Sequence, residues 1–266
     1  MSGRGGVRDG TLVTAAHALR LLRLFSEAAP VLSVSEMSRR LHLPKSVVSR
    51  IVTTFAYEGV LEKDELSGRY RLGPVLLELG LIAGDLNPVL RVAEPSVREL
   101  RDATQQHSFL VWPDGSDGVC LVAHPAPHSR VAPVHTGMRM PLSESVAGWT
   151  VLAFANGSRR REDAAGLPFC GAGTGRLEPV FQDIERRGYA CFADPWLSEL
   201  MTLACPVFDP TGTVVAAVAI TGVPSAFAQD DSEQWAIRVS RAARQISSRL
   251  FSTQDVPHKG TPSVRS

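Results

Sequence analysis

Two kinds of side chain in this 266-residue sequence could do chemistry, and their spacing separates them. The first kind makes or breaks bonds or holds metals. Cys120, Cys170, Cys191 and Cys205 lie far apart with no Cys-x-x-Cys pair, so they offer neither zinc spacing nor a disulfide framework and read as mostly buried thiols. His124 and His128 are four apart, but Pro125 and Pro127 prevent the helix that would align them on one metal. The run Gly171-Ala-Gly-Thr-Gly175 lacks the Lys-Ser/Thr ending of a phosphate-cradling loop and reads as a plain loop. Cys205 could act as a nucleophile only with an orienting base, and the sequence does not bring His107, His124 or His135 beside it. The residues point to no catalytic group, no metal and no cofactor; a thiol enzyme using Cys205 stays open as a minor alternative.

The second kind is a set of donors and cations at helical spacing. Over residues 45–58, Val47, Val48, Ile51, Val52 and Phe55 fall on one side, while Lys45, Ser46, Ser49, Arg50 and Thr53 share the rest. A helix with such a face fits the major groove of DNA, where short polar side chains and arginine reach base edges and flanking cations grip phosphate. Ser49 and Arg50 are the expected base readers. Lys45, Ser46 and, further on, Arg69 and Tyr70 are expected at phosphates or in the minor groove, and Ser35 and Thr53 are expected among the DNA-binding residues. In isolation the same pattern would be an ordinary solvated face, so the elements around it decide.

Those elements support the DNA reading. Apolar residues recur at helical spacing over 14–28 and stop at Pro30. Ser33-Val34-Ser35-Glu36 fits a capping box, in which a hydroxyl and a carboxylate satisfy free amides at a helix start, and a short helix follows to Leu41. His42-Leu43-Pro44 makes a turn, and Gly59 stops the third helix. Residues 60–63 and 69–72 are strand-like runs around a polar turn that ends in Gly68. Three helices and a hairpin make a winged helix-turn-helix. A leucine-rich helix from Val75 leads through Asn87-Pro88 into a second helix over 89–104. Beyond it, hairpins are expected at 109–123 and 203–221 and helices at 145–156, 178–187 and 230–251, an antiparallel sheet with helices packed on it.

Bulk properties agree. The 44% hydrophobic content suffices for ordinary cores, and the net charge of +1 hides a surplus of three cations in the first 80 residues. No apolar run reaches the roughly 20 residues of a membrane span, and the first ten residues have no apolar core of a secretory signal, so a cytoplasmic protein is expected.

The sequence resembles the IclR family of bacterial transcription regulators over residues 13–251. The resemblance rests on Ala18-Leu-Arg-Leu-Leu, on 35–50 (SEMSRRLHLPKSVVSR), on the wing Ser67-Gly-Arg-Tyr-Arg-Leu-Gly-Pro74, on Gly188-Tyr-Ala, on Pro206-Val-Phe-Asp-Pro-Thr-Gly212 and on 215–222 (VAAVAITG). It implies a homodimer or dimer of dimers reading a palindromic operator, with a GAF-like domain that holds a small effector, often an organic acid. The expected fold is α+β: a winged helix-turn-helix at 11–74, a linker helix at 75–88, a GAF-like antiparallel-sheet domain at 89–253 and a disordered tail at 254–266. By the same resemblance Ser145, Val146, Ala147, Asp194, Thr202, Ala219 and Thr221 line the effector pocket, with the amides at the start of the 145–156 helix free to hold a carboxylate. Ser143, Val146, Trp149, Phe192, Glu199 and Thr202 stand where the family usually has His, a small residue, Lys or Arg, an acidic residue, Gly and Cys. These departures imply a pocket of different size and polarity, and they keep open a regulator of the same fold that has lost ligand sensing.

Overall fold

Ser33 and Glu36 close the box that their spacing demands. The Ser33 amide donates to Glu36 Oε2 at 2.7 Å, the Ser33 hydroxyl to the same oxygen at 2.8 Å, and the Glu36 amide to Ser33 Oγ at 3.3 Å. Helix α2 (Val34–Leu41) starts there and ends at His42, which adopts the left-handed conformation (φ 55°). Pro44 then leads into α3 (Lys45–Tyr57). In this computed structural model residues 12–26, 29–130, 132–155, 177–227 and 229–253 are described; Cys170, the 171–175 glycine run and the 254–266 tail lie outside them. The chain divides into two compact units, Met1–Leu86 and Asn87–Ser266.

In the first unit α1 (Val13–Leu22) is shorter than the apolar periodicity over 14–28 predicts. The Leu24 and Phe25 amides bond back only three residues, and Ser26 pairs with Ala29, so the last apolar residues of the pattern belong to a turn packed on the core. That core is Leu21, Leu32, Met37, Val48, Ile51, Val52 and Leu61. The wing pairs β1 (Leu61–Lys63) with β2 (Tyr70–Leu72) in antiparallel register, Leu61 opposite Leu72. Tyr70 also exchanges both backbone bonds with Leu32, at 2.8 and 2.9 Å, a pairing that the sequence did not suggest. Gly73 is required at the foot of the wing, because a β-carbon there would run into the carbonyl of Gly59. Helix α4 (Pro74–Leu86) follows and contains no buried residue.

The second unit begins with α5 (Pro88–Thr104), whose first amides are capped by Asn87 Oδ1 at 3.0 and 3.1 Å. Six antiparallel strands follow: β3 (His107–Asp114), β4 (Asp117–His124), β5 (Arg139–Pro141), β6 (Ala190–Ala193), β7 (Met201–Phe208) and β8 (Val214–Gly222), in the spatial order β5-β4-β3-β8-β7-β6. The two edge strands, β5 and β6, were missed from sequence because three or four residues carry too little alternation to stand out. Helices α6 (Val146–Phe154) and α7 (Glu178–Arg187) cover one face of the sheet, and α5 with α8 (Gln229–Thr253) covers the other. Alternation along β7 and β8 assigns the faces. Leu203, Cys205, Val207, Val218 and Ile220 join α5 and α8, while Ala204, Ala217 and Ala219 join α6. Ala236, Val239, Ala243, Ile246 and Leu250 recur on α8 at spacings of three and four, and burying each large aliphatic side chain contributes about 1.5–3 kcal/mol.

The box carboxylate has a second employer in the first unit. Arg69 Nη2 donates to Glu36 Oε2 at 2.8 Å and Oε1 at 3.0 Å, and to the Val31 carbonyl at 3.2 Å. The Ser33 amide and hydroxyl, with Arg69 beside them, hold the Glu36 carboxyl down to about 2 from 4.5. A carboxyl depressed by folding stabilises the fold above its unfolded value and loses that contribution as pH falls toward the folded one. Wild-type protein should therefore resist urea better than Glu36→Gln at pH 7, with the gap closing as pH falls from 4.5 toward 2. A gap independent of pH over that window would show that the ionised pair does not hold the wing.

Candidate functional site

The exposed face of α3 follows from its burial pattern. Val48, Ile51 and Val52 are buried, which turns Lys45, Ser46, Ser49, Arg50 and Thr53 to solvent together with Thr54. Thr54 donates to the Arg50 carbonyl at 3.0 Å, and the Arg50 guanidinium makes no ion pair among the described residues. Ser35 is exposed in the first turn of α2. At the other end of α2 stand Arg39 and Arg40, exposed and without a carboxylate partner among the described residues. The sequence reading passed over these two; the signal was available, since a helix-turn-helix lays its first helix across the DNA backbone.

The wing is a different matter. Arg69 was expected at phosphate, but its guanidinium is committed to Glu36 and Val31, and Tyr70 is half-buried and packed against the core of the first unit. Arg71 pairs with Glu62 at 2.7 Å and Lys63 with Glu65 at 3.6 Å, so every cation of the hairpin already faces an acid. Both Arg69 and Tyr70 therefore fasten the wing to the helices, and the wing offers little positive charge of its own.

In the second unit the residues expected around an effector do converge. Ser145 caps α6, accepting from the Gly148 amide at 3.2 Å. The Asp194 carboxylate accepts from the Val146 amide at 3.3 Å through Oδ2, and from the Trp196 and Leu197 amides at 3.0 and 3.2 Å through Oδ1. The Thr202 hydroxyl lies against Asp194 and bonds Thr221 Oγ1 at 3.0 Å, and the Thr221 hydroxyl donates to the Met201 carbonyl at 2.9 Å. All seven, with Val146, Ala147 and Ala219, are buried, Asp194 being 4% exposed. Burial pushes the Asp194 carboxyl up, against the hydrogen bonds that it accepts. The expectation of amides left free for a ligand carboxylate is thus corrected at two positions, because Asp194 and Ser145 already hold those of Val146 and Gly148.

A cavity of about 350 Å³ opens at this end of the sheet, lined among others by Gln106, His107, His128, Leu200 and Gly222. His107 stands directly opposite Thr221 in the ladder, so both side chains face the α6 side. Its Nδ1 accepts from the Ala126 amide at 3.1 Å, which puts the ring proton on Nε2, and burial lowers its pKa. Glu199, which stands where the resemblance expects Gly, has φ 69°, a left-handed backbone that glycine adopts without strain.

The departures at 143, 149 and 192 are one packing unit. The Trp149 indole, 1% exposed, donates to the Ser143 carbonyl at 2.7 Å and meets Phe192 edge to face at 5.9 Å. These side chains and Val146 lie in the apolar cluster between α6 and α7, whereas Ala147 and Val151 face the sheet. Trp149 and Phe192 therefore sit behind the helix, and the expectation that they reshape the pocket is corrected. An aromatic pair stands where the resemblance implies opposite charges. The thiol reading also meets its geometry here: Cys205 faces Ser240 on the α8 side of the sheet at 3.3 Å, away from His107, and burial pushes its thiol up to about 12. Trp149→Lys should cost about 3–5 kcal/mol by burying an unpaired charge, and adding Phe192→Glu should recover part of it. Two substitutions whose costs simply add, as read by urea denaturation, would dissolve the unit.

Residues 14–65 match the IclR helix-turn-helix domain, and residues 85–248, more than half of the chain, match the bacterial transcriptional regulator IclR C-terminal domain. The HTH-type transcriptional regulator KipR of Bacillus subtilis is 25% identical over 243 residues, covering 89% of this chain and 96% of the relative. KdgR of Escherichia coli is 25% identical over 225 residues, covering 82% and 86%. Among solved structures, an IclR transcriptional regulator from Alicyclobacillus acidocaldarius superposes with a TM-score of 0.81 at 23% identity, covering 90% of this chain and 99% of that one. An IclR homolog from Microbacterium hydrocarbonoxydans, solved with 4-hydroxybenzoate, gives 0.78 at 24% identity with the same coverage. With a helix-turn-helix, a wing and a sheet domain in this order, and both domains matched along the chain, the protein belongs to the IclR family of bacterial transcriptional regulators.

Proposed function

We propose that α3 reads a specific DNA site through Ser49 and Arg50, with Lys45, Ser46, Thr53, Ser35, Arg39 and Arg40 holding phosphate. The exposed polar face of α3, beside two arginines on α2 that meet no carboxylate among the described residues, carries this reading. Two copies act together, a homodimer on a palindromic operator. Helix α4 favours this: Leu77, Leu79, Leu81, Ile82 and Leu86 are 50–72% exposed, and an apolar helix so bare is covered well by its own likeness across a two-fold axis. The protein works where the DNA is, in the cytoplasm, and no catalytic role is assigned to Cys205.

The second unit receives a small molecule through the His107 mouth, with Asp194, Thr202 and Thr221 as its polar contacts. The class favoured is a small organic acid, as in the neighbour solved with 4-hydroxybenzoate. Its carboxylate would replace part of the hold that Asp194 has on α6. The closed, fully bonded state of these residues favours a second reading, a regulator that answers no ligand.

Selection of genomic fragments under rising salt should recover an inverted repeat with a steep salt dependence. On that site Arg50→Ala should lose about 1–3 kcal/mol, roughly 5- to 150-fold in affinity. Unchanged affinity in a folded variant would overturn the orientation of α3, and a site without two-fold symmetry would overturn the paired reading. In a thermal-shift series, 4-hydroxybenzoate or a small aliphatic acid at 100 times its dissociation constant should add about 2.7 kcal/mol, and Thr202→Val should blunt the response. Silence to every acid would favour the ligand-independent reading.

A further inference from the structure

On the other face of the sheet, away from Asp194, the edge strand β6 leaves a trough beside α8. Helix α7 ends there at Arg187 and Gly188, α8 forms the opposite wall with Ser240, Arg244 and Ser247, and Cys205 and Phe208 of β7 lie between them. The cavity is about 620 Å³, and no carboxylate is among the residues that line it. Arg187 is held in place by Asp183, its Nε donating to Oδ1 at 3.0 Å, so its outer nitrogens stay available. Arg244 has no partner among the described residues. The Ser247 hydroxyl is already occupied, accepting from the Phe208 amide at 3.0 Å and donating to the Ala243 carbonyl at 2.9 Å. Among the described residues Ser240 Oγ meets only the Cys205 thiol, 3.3 Å away, and it can turn its proton to a better acceptor. The thiol stays protonated and adds no negative charge.

We propose that this trough is a second ligand site, for a small phosphate monoester. Two guanidinium groups from different elements, one anchored and one free, match the charge and the forked acceptor geometry of a dianionic phosphate. The Ser240 hydroxyl supplies a donor, and Ala243 gives the ligand body a small apolar rest. A monocarboxylate would leave one of the two arginines unsatisfied.

Isothermal titration of the full chain with glucose 6-phosphate, inorganic phosphate and glucose tests this. The phosphate ester should bind, glucose should not, and Arg244→Gln or Arg187→Gln should weaken the ester by about 10-fold or more, the worth of a charged hydrogen bond. Arg238→Gln, on the side of α8 that faces α5, should bind like wild type, as should Thr202→Val at the Asp194 site. Absence of ester binding overturns the proposal. So does equal binding by wild type and Arg244→Gln, or an equal loss in Arg238→Gln, which would mark diffuse attraction to a basic helix.

Discussion

One carboxylate, that of Glu36, joins three pieces of chain that would otherwise be free to move. It closes the start of α2 through Ser33, and it takes the guanidinium of Arg69 at the turn end of the wing, which in turn reaches the Val31 carbonyl. Charge-assisted bonds to one acceptor are directional, so they fix the angle of the wing as well as its attachment. The Leu32–Tyr70 backbone pairing runs alongside and makes the wing continuous with the loop before α2. The exposed face of α3 depends on this arrangement, because Met37, Val48 and Leu61 share one core and a loosened wing would uncover it. Arginine at 69 is therefore spent on architecture.

The local half of that arrangement was legible in the sequence. Ser33 and Glu36 are three residues apart, and the capping chemistry follows from their types. The contact between Arg69 and Glu36 spans 33 residues, and no periodicity announces it, so Arg69 read as a free cation. The end of α1 was misjudged for a similar reason: Phe25 is apolar because it packs on the core from a turn, and apolarity at helical spacing does not distinguish the two. In the second unit the long strands β7 and β8 were plain, while β5 and β6 were too short to see.

The buried polar site shows the same division. Its membership came through family resemblance, and the structure does bring Ser145, Asp194, Thr202 and Thr221 together. Who holds whom depended on a contact spanning 48 residues, from the Val146 amide to Asp194. Trp149 and Phe192 were read singly as alterations of a pocket, yet they are partners behind α6. A residue that departs from a family pattern is best weighed together with whatever touches it, and touching is what a lone sequence leaves out.

The bare leucines of α4 have a consequence for dosage. If a chain is competent only when that helix is covered by a second copy, the population of competent pairs at low abundance grows as the square of the number of chains. A twofold change in synthesis then becomes nearly a fourfold change in occupied operators. In that case unpaired chains, with five large aliphatic side chains open to water, would also be the ones that proteases and chaperones meet first, and scarcity would shorten the lifetime of the protein and sharpen the threshold further.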